Sequence, residues 1–179
     1  MGLEGEIKEL YPPKRDQFMK EVYLLIGGNI GDRFFFLEVA TRLISQQCGS
    51  ISTISSVYET AAWGKEDQPA FLNQVLIIQT ALGPVELMAA LLEIEQQMGR
   101  LRREKNGERN IDIDILYYEN EVVELPELTI PHPRIHLRKF ALIPLLELNA
   151  AKIDPVLGKT IQALLEACPD SLEVRQFSK

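Results

Sequence analysis

Between positions 111 and 115 the chain alternates isoleucine and aspartate, Ile111-Asp112-Ile113-Asp114-Ile115. Few patterns restrict a fold more. Successive side chains of a strand point to opposite faces, and residues two apart lie about 7 Å from one another along the backbone. The stretch therefore predicts a strand with three isoleucines in a core and two carboxylates projecting together from the other face. Two carboxylates so placed repel each other. A bound cation removes the repulsion, oxygen ligands suit magnesium, and a carboxylate pair can share two ions in phosphoryl or nucleotidyl transfer. Taken alone, the pair also suits the solvated face of an edge strand.

The rest of the chain supplies a sheet for this strand. Val22 to Ile26 is a short, almost wholly apolar run, as a central buried strand requires. Asp32 is placed to cap a helix whose apolar face would be Phe36, Val39, Ala40, Leu43 and Ile44. Residues 50 to 59 read as one strand, 60 to 70 as a loop, and Phe71 to Thr80 as another strand. Pro84 suits the first turn of a second helix lined by Leu87, Leu91, Ile94 and Met98, and Gly99 closes it. After the Ile111–Tyr118 strand come a short extended piece at 128 to 133, a helix within 135 to 148 and another over 160 to 167. The order β-α-β-β-α-β predicts an α+β fold with a ferredoxin-like core, an antiparallel sheet with helices on both faces, the C-terminal helices covering the second. Residues 1 to 20 are polar, hold Pro12-Pro13 and read as a tail or short docking arm ahead of one domain over 21–179; Met19 leaves a later start open.

Bulk properties narrow the function. No apolar run approaches the roughly 18 residues that span a bilayer, and the N-terminus has acids where a secretory signal has an apolar core. This predicts a cytoplasmic protein whose two cysteines, Cys48 and Cys168, are free thiols. A net charge of −7 disfavours a general nucleic-acid binder. Yet Arg100, Arg102, Arg103, Lys105 and Arg109 crowd into one window, with Arg134, Arg138 and Lys139 in a second. A local arginine cluster on an acidic protein points to a small polyanion.

Arginine forks make two-point contacts with phosphate; those of the loop from 100 to 110 could equally answer Glu104 and Glu108. Beside an Asp-x-Asp strand, carboxylates, metal and arginines together make a polyphosphate site. Pro131 and Pro133 fix the backbone around His132, whose neutral ring can donate to a phosphate, or which can be a structural loop histidine; His136 reads as structural. Gly27-Gly28-Asn29-Ile30-Gly31-Asp32 lacks the ending of a phosphate loop and reads as a tight turn beside a substrate. Phe71 and Asn73 share a strand face, an aromatic ring beside an amide, which suits a flat heterocycle as well as it suits a core ring beside an edge polar group.

The stretches LLIGGNIGDR, SSVYETAAWG, DQPAFLNQV, IEQQMGRLRR, GERNIDIDIL and LTIPHPRIHLRKFALIPL occur in the order of the 6-hydroxymethyl-7,8-dihydropterin pyrophosphokinase family, and the chain resembles that family over roughly residues 22 to 168. The pairing of the R-x-(I/L)-D-(I/L)-D strand with the PH-x(5)-R-x-F segment is specific to it. The resemblance implies transfer of the β,γ-diphosphate of ATP to the pterin hydroxyl with release of AMP, a step of folate synthesis. It implies two magnesium ions on Asp112 and Asp114, phosphate contacts from Arg100, Arg102, Arg103, Arg109, His132 and Arg138, and Glu95 as an orienting group. Phe71 and Phe140 would sandwich the pterin, with Thr60 and Asn73 on its edge and Trp63 in the pocket wall. It implies ATP and the pterin as the partners, no nucleic acid, no membrane, and a monomer. The chain departs from the family in a loop between Arg100 and Asp112 one residue shorter, in Asn106 where tryptophan is frequent, in Ala61-Ala62 for Pro-Pro, and in Pro133 where some members have tyrosine. None of these touches the metal ligands. The loop from Arg100 to Asn110 is expected to be open without ligand and to close over bound ATP and pterin.

Overall fold

The computed structural model describes residues 19–62, 67–100 and 107–178. Its main sheet is antiparallel in the order β5-β1-β4-β3-β8, with β2 also pairing β4. The strands are β1 (Lys20–Gly28), β2 (Ser50–Ile54), β3 (Tyr58–Thr60), β4 (Phe71–Thr80), β5 (Asp112–Tyr118) and β8 (Val174–Gln176); β6 (Val123–Leu125) and β7 (Leu128–Ile130) form a separate hairpin. The helices are α1 (Arg33–Gln47), α2 (Pro84–Gln97), α3 (Lys139–Asn149) and α4 (Ile161–Glu166). This is the expected α+β arrangement. Among the described residues no helix is long and apolar enough to cross a membrane.

β1 is central because its sequence leaves it no polar face: every residue from Val22 to Gly28 is buried. Val22, Leu24 and Ile26 point toward α1 and α2, where they meet Leu37, Ala40, Ile44, Leu87, Leu91 and Ile94. Tyr23 and Leu25 point the other way, into a second core formed with α3 and α4 through Ala141, Leu142, Leu145, Ile161 and Leu164. At roughly 25 cal/mol per Å² of apolar surface buried, these two layers are the main stabilising term of the fold. The alternation of β5 holds at its start, with Ile113 and Ile115 in the first core. A bulge opposite Tyr23 and Leu24 then turns both Leu116 and Tyr117 into the second.

Two local expectations are corrected. The segment 50–59 is two strands, not one, and Thr60 ends the second instead of opening a loop. The break falls at Ser55, whose hydroxyl accepts from the Val75 N–H at 2.9 Å while its carbonyl accepts from Gln74. A side chain has taken a backbone partner's place in the ladder. The buried stripe of α1 is Leu37, Ala40 and Ile44, flanked by Phe34 and Leu43, so it runs through Phe34 and Leu37 and passes Phe36 by; Phe36 lies beside Gly31 instead, where a Cβ would come within 2.8 Å of its ring. The caps stand as expected. Asp32 accepts from the Phe35 N–H at 3.0 Å, and Gly99, at φ +77°, ends α2 in the left-handed region that glycine adopts freely.

Candidate active site

The candidate site lies on the sheet face toward α3, where the side chains of Asp112 and Asp114 stay partly exposed. One cross-strand row runs Asp112, Gly27, Asn73, Tyr58, from β5 through β1 and β4 to β3. Directly paired residues share a face, and neighbouring strands lie about 4.8 Å apart. The backbones of Asp112 and Asn73 therefore stand roughly 10 Å apart with only a glycine between them. A Cβ at Gly27 would lie 2.3 Å from the Asn73 Oδ1, so the floor needs glycine to let the amide lean across. In the next row of β4, Phe71 pairs with Thr60. The Thr60 hydroxyl is buried with no hydrogen-bond partner among the described residues. Buried polar groups are seldom left so.

At the other end of the row, Asp112 lies between two guanidinium groups. Arg100 Nη1 is 2.7 Å from its Oδ1 and Arg109 Nε 2.9 Å from its Oδ2. Arg100 also pairs with Glu95. Glu95 is 3% exposed and accepts from the Ile113 N–H at 2.8 Å. It thus holds both the arginine and the strand that carries the two aspartates, as an orienting group should. Burial pushes its carboxyl up, against the pull of Arg100. Among the described residues the ion-pair partner of Asp114 is a distant one, Arg138 Nη1 at 4.0 Å. Burial and the charge of Asp112 push the Asp114 carboxyl well above the usual carboxylate range.

Arg138 leads from Asp114 to the phosphate-binding candidates. Its Nη1 stands 3.4 Å from Nε2 of His132. The His132 Nδ1 accepts from the Arg134 N–H at 3.2 Å, which assigns the proton of the neutral ring to Nε2. Burial, and then Arg138 and Arg134, bring the imidazole down to about 4. Two donors, the His132 Nε2–H and the Arg138 guanidinium, therefore face the same space, as an anion site requires. Each predicted stacking ring also has a guanidinium against it: Arg109 is 4.9 Å from the centroid of Phe71, and Arg138 is 5.6 Å from that of Phe140.

The structure thus brings together Thr60, Phe71, Asn73, Glu95, Arg100, Arg109, Asp112, Asp114, His132, Arg138 and Phe140. Trp63, Arg102 and Arg103, and with them most of the arginine loop, lie outside the described residues. Among the described residues the arginines at the loop's ends answer Glu95 and Asp112; Glu104 lies outside them. The expectation of an open loop falls mostly on residues outside the described ones, but the loop's root at Arg109 is fastened. Asn29, 2% exposed, donates its N–H to the Arg109 carbonyl and accepts the Arg109 N–H at its Oδ1, both at 2.9 Å. Its amide nitrogen also donates to Gln68 and to the Pro69 carbonyl. Sequence reasoning took the Gly27-Gly28-Asn29 turn as a neighbour of substrate and missed Asn29 as the joint of two loops. The available signal was an amide side chain placed directly after a strand-ending glycine pair.

The metal candidates fit the chemistry of magnesium. Two carboxylate side chains stand on one strand face, and among the described residues no group of three or more His, Cys, Asp or Glu is placed to hold a metal ion, so the pair makes an incomplete shell. Magnesium is commonly bound in this way, by one or two carboxylates, water and the oxygens of a bound phosphate.

Residues 23–150 match a family model described as 7,8-dihydro-6-hydroxymethylpterin-pyrophosphokinase. A protein of Aquifex aeolicus (strain VF5) named 2-amino-4-hydroxy-6-hydroxymethyldihydropteridine pyrophosphokinase is 42% identical over 144 residues, 80% of this chain and 89% of its own length. A protein of the same name from Bacillus subtilis (strain 168) is 42% identical over 127 residues, 70% of this chain and 76% of its own. In fold, the chain is similar to a crystal structure of Plasmodium falciparum HPPK-DHPS, wild type, with pterin and p-hydroxybenzoate. The TM-score is 0.67 at 18% identity, over 83% of this chain and 42% of that longer one.

Proposed function

Because the chain belongs to the 7,8-dihydro-6-hydroxymethylpterin-pyrophosphokinase family, whose reaction is pyrophosphoryl transfer from ATP to hydroxymethyldihydropterin in folate synthesis, we propose how its own residues divide that work. The observation that carries the assignment is the cross-strand row with the recognition groups at one end, the carboxylates at the other and Gly27 between. Asn73 and the unpartnered Thr60 hydroxyl read the polar edge of the pterin. Phe71 and Phe140 stack on its faces, with Trp63 in the wall. The hydroxymethyl arm then reaches toward Asp112 and Asp114.

Asp112 and Asp114 would hold two magnesium ions, which when bound neutralise phosphate charge and acidify the hydroxyl. Arg100, Arg102, Arg103, His132 and Arg138 bind the triphosphate, His132 donating from Nε2 while its ring stays neutral. The hydroxyl gives its proton to solvent water, and its oxygen bonds to the β-phosphorus. The bond from that phosphorus to the oxygen bridging to the α-phosphorus breaks, and AMP leaves with that oxygen. Arg109 must first come off Phe71 and Asp112; we assign it to the charge that develops as AMP departs. Glu95 keeps Arg100 and β5 in place throughout. We read residues 21–179 as one pyrophosphokinase domain, a monomer in the cytoplasm, with no nucleic acid or membrane as partner.

The test is the product. Incubated with ATP, magnesium and 6-hydroxymethyl-7,8-dihydropterin, the protein should release AMP and diphosphorylate the pterin. Release of ADP, or nucleotide release that does not depend on the pterin, would overturn the reading.

A further inference from the structure

The helix that carries one wall of the slot is not held by the slot itself. α3 opens with Lys139 and Phe140, and the residue before them, Arg138, makes no side-chain cap bond. The first turn of any helix leaves N–H groups without an intrahelical partner. Asp170, far downstream, supplies the missing acceptor. The Lys139 N–H donates to its Oδ2 at 3.0 Å, while its Oδ1 accepts the Leu172 N–H at 3.0 Å. The chain around Asp170 is itself secured. β8 pairs with β3, setting Val174 opposite Thr60, and the Phe177 N–H donates to the Val57 carbonyl at 2.8 Å. At the other end of α3, Glu147 accepts from the Ser56 N–H and from the Tyr58 hydroxyl at 2.9 Å. The helix bearing Phe140 and the strand bearing Thr60 are thus joined at both ends by carboxylates outside the site.

We propose that Asp170 is a positioning residue for the pterin. From the C-terminal segment it caps the first turn of α3 and so keeps Phe140 where it can stack. The inference rests on Phe140 being a pterin-stacking ring. An asparagine in place of Asp170 keeps one acceptor oxygen, enough for the Lys139 N–H, and gives up the bond from Leu172, whereas alanine gives up both. Binding of 6-hydroxymethylpterin, in magnesium and α,β-methylene-ATP, can be followed by its fluorescence. Asp170→Ala should raise the pterin Kd about fivefold, the size of a typical lost cap, and Asp170→Asn should stay within about twofold of wild type. Thr160, which caps α4 by accepting the Ala163 N–H at 3.2 Å, gives the control. Thr160→Ala should lower Tm as a lost cap does and leave the pterin Kd unchanged. Wild-type pterin affinity in Asp170→Ala, or an equal loss in Thr160→Ala, would overturn the proposal. Phe140→Ala separates the two readings. If it binds pterin normally, the stacking assignment fails. If it loses pterin while Asp170→Ala does not, only the positioning role fails.

Discussion

At the scale of single residues, Asp112 and Asp114 are unequal although the sequence presents them as a pair. Asp112 already has two guanidinium partners and Asp114 has one at the limit of contact. Either Asp→Ala change should lower turnover at least about a thousandfold in magnesium, since each removes a proposed metal ligand; steady-state assays check this. Only Asp114→Ala should leave the metal-free fold as stable as before or more so, because it removes a poorly compensated charge. The raised Asp114 carboxyl also has a sign. Its pKa in the folded protein, about 7, exceeds the unfolded value, so the metal-free protein is favoured by this group below the unfolded pKa and loses that contribution as pH rises toward 7. Magnesium competes with the same proton. The rise in Tm on replacing EDTA by magnesium should therefore be larger at pH 8 than at pH 6. His132, depressed to about 4, works oppositely and costs stability as pH falls below its unfolded value, but it does so with and without metal and cancels in that difference.

At the scale of elements, what was legible depended on whether the signal was periodic. The buried run of β1, the start of β5, the cap at Asp32 and the stop at Gly99 are local patterns, and they stand in the structure as read. The division of β2 from β3 was not legible, because it depends on Ser55 meeting Val75 across the sheet, a contact between distant positions. The two-way bond between Asn29 and Arg109 was hidden for the same reason. That bond bears on the arginine loop. With its root fixed at Arg109, the side chain can swing while the backbone stays, from Asp112 and Phe71 onto the phosphates. Arg109→Ala should lower the single-turnover rate roughly 100-fold or more, as for other lost transition-state donors, with only a small change in ATP Kd. Rapid-quench measurements at saturating ATP will separate the two.

At the scale of the whole molecule, a chain of net charge −7 gathers positive charge in one place. Among the described residues, Arg100, Arg109, Arg134 and Arg138 all stand at or beside the sheet face of the site. Such a local field draws in a small polyanion while the rest of the surface discourages longer ones. The two cores make this possible, since each sheet face is packed by a helix pair and the polar row of the site stands clear of both clusters.

In the proposed function, the row from Asn73 across Gly27 to Asp112 serves as a ruler. Its graduations are the strand spacings of the sheet, which the backbone sets and no side chain can stretch. Whatever is held at one end is measured at the other. A pterin whose arm is longer by one carbon would still seat its ring but carry its hydroxyl past the mark. Such a hydroxyethyl analogue should bind nearly as well as the natural length and be phosphorylated far more slowly, a comparison that paired Kd and turnover measurements make directly. Selection for arm length would then belong to the hydrogen-bonded skeleton of the protein, beyond the reach of changes in the pocket lining.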